Sequence, residues 1–185
     1  METLNLSGAS ARSESRLKSL FWPEIENGSD LDYLGAQGYW LCTLVSVISL
    51  VFLLATGKPL TAVALLLFYY LGGVGVRERN RYAAAAVFAM YLLDTLLAPG
   101  MVRILFSALL LSNLRATWIA SGWQPGSEES VLPPRLNETV LDRFRDVVPA
   151  WLWPKIRIFY YIFSIAFLLL VVIGLIMLVF GKLSA

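Results

Sequence analysis

The chain has no histidine and a single cysteine among 185 residues, and these shortages remove several kinds of chemistry at once. Without histidine it cannot supply bis-His haem ligation, a His-containing zinc site or a Ser–His nucleophile pair. Cys42, being alone, cannot close an intramolecular disulfide, and its place inside a long apolar stretch reads as a small buried filler. Charge is scarce as well. Charged residues make up 15% of the chain against 58% hydrophobic, a balance that a water-soluble monomer of this size has difficulty carrying.

Further absences narrow the function. Gly72-Gly-Val-Gly-Val-Arg has neither the spacing of a phosphate-binding loop nor the Lys-Ser/Thr that follows one. Asp94 is the sole carboxylate within the predicted spans, so the facing pair an aspartyl protease needs is missing. Glu24, Glu26, Asp30 and Asp32 depart from calcium-loop spacing and read as a solvated, turn-forming stretch. The first 20 residues lack the apolar core of a cleavable signal, residue 2 is Glu rather than Gly, and the last three residues are Leu-Ser-Ala, so neither signal cleavage nor lipidation is expected. The formal charge of +2 is too small, and its carriers too dispersed, to suggest nucleic acid as a partner. No cofactor, metal or catalytic constellation is expected, and no internal repeat points to a symmetric transporter.

What the chain does have is long stretches from which charge is excluded. Ile158 to Gly181 contains no Asp, Glu, Lys or Arg. A hydrocarbon slab about 30 Å thick needs roughly 20 mostly apolar residues to cross it as a helix, because lipid leaves the backbone only itself to hydrogen-bond with. Gly35–Thr56, Leu60–Val76, Met101–Ile119 and Ile158–Phe180 meet that requirement, while Tyr82–Leu97 is short. A single helix from Tyr82 to Ile119 would be roughly 57 Å long, so Pro99-Gly100 reads as a hairpin turn between two helices. The expected fold is therefore all-α: a polytopic helical membrane protein with about five transmembrane helices plus a cytoplasmic amphipathic helix.

Basic residues orient this map. With five crossings and the N-terminus inside, twelve lie on the cytoplasmic side (Arg12, Arg16, Lys18, Arg77, Arg79, Arg81, Arg115, Arg135, Arg143, Arg145, Lys155, Arg157) and three opposite (Lys58, Arg103, Lys182). The positive-inside rule then predicts a cytoplasmic N-terminus and an external C-terminus in a multi-pass cell-membrane protein, of the bacterial inner membrane. A re-entrant third segment would reduce the bias to eight against seven, which favours five full crossings. The same topology keeps the glycosylation triplets at Asn5, Asn27 and Asn137 in the cytoplasm.

Four regions follow: a polar N-terminal tail and interfacial segment over 1–34, a four-helix transmembrane region over 35–121, a cytoplasmic linker with an amphipathic helix over 122–154, and a final transmembrane helix over 155–185. Leu136, Val140, Phe144 and Val147 share one helical face, with Asn137 as a candidate cap and Pro149 as the expected stop. Trp22, Arg143, Arg145, Trp151 and Trp153 are candidate membrane-surface anchors, since indole rings and snorkelling guanidinium groups favour headgroup depth.

Within the bilayer the leading candidates are Asp94 and Arg103, equidistant from the hairpin turn and so at matching depth. A bidentate ion pair there would clip the hairpin, or Asp94 would act as a proton or cation site. Cys42, Ser46 and Ser49 form one small-residue stripe, Ala85 and Ala89 another, and Gly72, Gly73 and Gly75 suit close helix approach. Taken together these features suggest a non-catalytic accessory, assembly or regulatory component of a membrane complex, with the lipid bilayer and other membrane subunits or its own copies as partners. A subunit of an oligomeric small transporter or channel is the alternative.

Overall fold

A computed structural model describes residues 28–122 and 140–183, and among these every regular element is an α-helix. The helices are α1 (Gly28–Ala55), α2 (Pro59–Arg77), α3 (Arg81–Leu97), α4 (Met101–Gly122) and α5 (Val140–Leu183). Four of them, α1, α2, α4 and α5, are long and apolar enough to cross a membrane. At 17 residues α3 reaches about 25 Å, short of a full hydrocarbon slab. The chain is a multi-pass helical membrane protein.

Neighbouring helices run antiparallel, as short connections demand. Gly75, Gly72 and Tyr69 of α2 meet Ala83, Val87 and Tyr91 of α3 in turn. Gly73 of α2 meets Cys42 of α1, and Phe68 of α2 meets Phe167 of α5. α2 sits at the centre and touches all four other helices. Its glycines make this crowding possible. A Cβ on Gly75 would lie 2.5 Å from both the Ala83 methyl and the Trp153 ring, one on Gly73 would lie 2.6 Å from Cys42 Cβ, and one on Gly72 would overlap Val87. Such contacts draw helices together in lipid, where tails compete equally for apolar surface and packing must supply the attraction.

The connections carry their own chemistry. Gly57 takes a left-handed φ of 73° in the turn after α1, and Pro59 opens α2 where its missing N–H costs nothing. Asn80 caps α3 by accepting from Ala83 N at 3.0 Å, while its amide donates to Tyr161 Oη at 2.7 Å and so ties the cap to α5. Pro99-Gly100 separates α3 from α4, as the hairpin reading requires.

Two sequence readings need correction. Pro149 does not end a helix: α5 continues for 44 residues, about 66 Å, through both Pro149 and Pro154. Pro149 is fully buried, with Asp146 bonded to Arg77 before it and Trp153 packed on α2 after it, so contacts on both sides hold the helical path that proline would otherwise break. From Val140 onward the amphipathic segment and the last span thus form one continuous helix. The contact stripe on α3 is Ala83 and Val87, not Ala85 and Ala89, because the face toward α2 lies two residues away in helical phase and leaves Ala89 exposed.

Candidate functional site

The bundle has two dissimilar ends. At the first lie the start of α1, the end of α2, the start of α3, and α5 around Asp146; this is the charged end. The other, the hairpin end, holds the α1–α2 turn and the Pro99-Gly100 turn.

Arg77 governs the charged end. Its Nη1 donates to Asp32 Oδ1 at 2.6 Å and to the Asp32 carbonyl at 3.1 Å, while Nη2 donates to Asp146 Oδ1 at 2.6 Å. One guanidinium thereby binds α1, α2 and α5, and its side chain is only 11% exposed. The planar fork suits this task because its two terminal nitrogens point to different helices, which a lysine ammonium cannot imitate. Arg77, Asp32 and Asp146 line a polar cleft of about 250 Å³ together with Glu78 and Arg79. Arg79 has φ 56°, a left-handed conformation usually left to glycine, and it closes α2 with Arg79 N bonded to the Val76 carbonyl and Asn80 N to the Gly75 carbonyl. Loss of hydration pushes the Glu78 carboxyl above its ordinary value, while Arg77 and Arg79 pull it back.

The hairpin end holds a half-open cavity of about 500 Å³ between α1, α2, α3 and α4. Its walls are mainly apolar, including Val45, Phe52, Leu65 and Phe106, with Ser49, Tyr69 and Tyr91 adding hydroxyls. Asp94 and Arg103 stand on its lining, with Arg103 Nε 3.6 Å from Asp94 Oδ2. The contact is not the bidentate clip the sequence suggested. Arg103 Nη1 instead donates to the Ala98 carbonyl at 2.5 Å, and the side chains of Arg103 and Asp94 remain 40% and 49% exposed. The carbonyl at the end of α3 has lost its own helical partner and competes successfully for the guanidinium. A firmer tie across the hairpin comes from the buried Thr95 and Ser107 hydroxyls, 2.9 Å apart.

The remaining sequence candidates separate. Trp151 is 62% exposed with Lys155 Nζ 3.7 Å from its ring centre, a geometry open to headgroups. Trp153 is no surface anchor: it is 7% exposed and packs against Tyr160 and Tyr161 and over Gly75. Trp151 and Trp153, two residues apart, fall on different sides of a helix, so headgroup depth alone could not place both outward. Arg143 and Arg145 belong to α5, and Trp22 lies outside the described residues. Of the small-residue stripe on α1, Cys42 and Ser46 are sealed in the interior and Ser49 opens to the cavity.

Asp32, read from the sequence as part of a solvated, turn-forming stretch, is instead helical and bonded to Arg77, and sequence reasoning missed Asp146 and the Asn80–Tyr161 tie. The available signal was topological: five alternating helices bring Asp32, Arg77 and Asp146 to one end, where an arginine flanking an apolar span seeks carboxylates. Set against protein-family models, curated proteins and solved structures, the chain matches none of them.

Proposed function

We propose that this chain is a non-catalytic accessory, assembly or regulatory component of a membrane complex, crossing the bilayer five times with its charged end in the cytoplasm and its C-terminus outside. The cell membrane, of the bacterial inner type, is the location that its distribution of basic residues favours. The observation that carries the reading is α5. It holds the most hydrophobic stretch of the four spanning-length helices, yet only 11% of that stretch is buried, against 33% to 50% in the others. Ile162, Ile165, Leu169 and Ile173 follow one another down an exposed face, a surface on which helices of another subunit can pack. The polar groups, by contrast, are largely occupied with holding the chain together, as in the Arg77 and Asn80 contacts.

A photo-crosslinking residue placed at Ile165 or Leu169, in native membranes, tests the proposal. The expected result is one discrete adduct with a different membrane protein. Adducts with lipid alone would overturn it, and an adduct between two copies of this chain would favour the second reading, an oligomeric transporter or channel subunit. The cavity beside Asp94 and Arg103 supports that alternative.

A further inference from the structure

We infer that the cavity at the hairpin end is a binding site for one phospholipid with a zwitterionic, primary-amine headgroup of the phosphoethanolamine class. One acyl chain lies against Val45, Phe52, Leu65 and Phe106, and the headgroup sits across Asp94 and Arg103. The inference stands independently of the role proposed above, because it uses no part of the α5 face.

Size and wall chemistry supply the first step. A volume of about 500 Å³ falls within the range of roughly 300–1,000 Å³ typical of small-molecule sites, and an apolar recess bordering hydrocarbon fills with a chain rather than with water. Depth supplies the second. Asp94 and Arg103 each stand about one helical turn inside the Ala98–Gly100 corner, close to the level at which phosphates lie when a chain descends between the helices.

Charge pattern supplies the third. The two side chains lie 3.6 Å apart at Nε and Oδ2, beyond hydrogen-bond range, and both are substantially exposed. Arg103 spends Nη1 on the Ala98 carbonyl and Nε on this loose approach, leaving Nη2 without a protein partner among the described residues. Asp94 likewise keeps Oδ1 unengaged. A guanidinium donor beside a carboxylate acceptor is the complement of a phosphate beside an ammonium. A purely anionic headgroup would meet the Asp94 carboxylate as a like charge, and a trimethylammonium headgroup has no N–H to donate to it. Tyr91, also on the lining, has its ring 6.3 Å from that of Phe106.

The test is native mass spectrometry of the full chain in detergent, equilibrated with equal amounts of dioleoyl phosphatidylethanolamine, phosphatidylglycerol and phosphatidylcholine. One retained phosphatidylethanolamine is expected, favoured about 3- to 10-fold over the other two, the discrimination that one solvent-exposed hydrogen bond of ordinary net strength provides. Asp94→Asn should bring phosphatidylethanolamine and phosphatidylglycerol level by removing both the amine acceptor and the like charge. Arg103→Gln should reduce retention of all three. Ser49→Phe should exclude lipid by filling the recess, while Leu170→Ala, remote on α5, should match the parent. Circular dichroism and melting establish that each variant is folded. Equal retention of the three lipids by the parent, no retained lipid, or an unchanged preference in folded Asp94→Asn would each overturn the inference, as would a protein segment crosslinked from position 49.

Discussion

At the charged end one guanidinium, 11% exposed, makes 2.6 Å contacts to carboxylates on two other helices. At the hairpin end another guanidinium, 40% exposed, approaches its carboxylate only to 3.6 Å and gives its best donor to a backbone carbonyl. Both ends carry an Arg and an Asp near the edge of an apolar slab, so residue type does not distinguish them. Packing does. Gly72, Gly73 and Gly75 let α1, α3 and α5 close around the end of α2, and that closeness removes water from Arg77 and fixes its partners. Among the described residues no glycine packs the hairpin end in this way, and a Cβ on Gly100 would meet nothing within 4 Å. A charged pair is thus structural where helices converge and available to a ligand where they part.

The strongest way to break this contrast is Arg77→Ala. It removes the guanidinium that Asp32 and Asp146 share, and the expected loss is about 2–3 kcal/mol of unfolding free energy in detergent, less than for a wholly buried pair because Asp146 is 41% exposed. Arg77→Lys should recover only part, since one ammonium cannot serve both carboxylates in the same geometry. A parent-like melting curve for Arg77→Ala would show that Arg77 is not a staple holding α1 and α5 to α2.

Next in size is a comparison of glycines. Gly75→Val forces a branched side chain against Ala83 and the Trp153 ring and should cost about 1–3 kcal/mol, by the usual penalty for overpacking. Gly100→Ala should change stability by less than about 0.5 kcal/mol, because the new methyl enters open space. Similar losses from both would show that the two ends are equally tight. The same melting assay reads both.

Much of this architecture was legible because apolar runs bounded by charge or Pro-Gly are imposed by the membrane itself. The runs Leu60–Val76, Tyr82–Leu97 and Met101–Ile119 fall within a few residues of α2, α3 and α4. Helix extent beyond the apolar run was not legible. α1 starts at Gly28 and α5 at Val140, and the polar turns at these helix starts are anchored through Asp32 and Asp146 to an arginine distant in sequence. Hydropathy measures what lipid tolerates and is silent about such tertiary anchors. The loose geometry of Asp94 and Arg103 was equally hidden: their shared depth follows from helical rise, but their competition with the Ala98 carbonyl depends on how the hairpin corner folds.

Asp94→Asn sharpens the contrast from the weak side. An exposed pair at 3.6 Å should contribute less than about 1 kcal/mol, so the variant should melt within a few degrees of the parent. A loss matching that of Arg77→Ala would make the hairpin pair a structural clip after all.

The smallest effect expected is a pH dependence at the charged end. Glu78 sits at the surface beside the cleft, and reduced hydration raises its carboxyl above the ordinary value while Arg77 and Arg79 oppose the rise. An acid whose folded value is raised binds its proton more tightly in the native state than in the unfolded chain. Stability from this group is therefore greatest below the ordinary carboxylate value and declines as pH climbs through the raised one. Glu78→Gln removes that decline. Relative to the parent, the variant should gain stability as pH rises above the ordinary carboxylate value of about 4, the comparison cancelling every other titrating group shared by the two proteins. Solvent screening keeps the gain small. A variant that instead loses ground as pH rises would mean that the two arginines outweigh the lost hydration, making Glu78 a further member of the Arg77 staple.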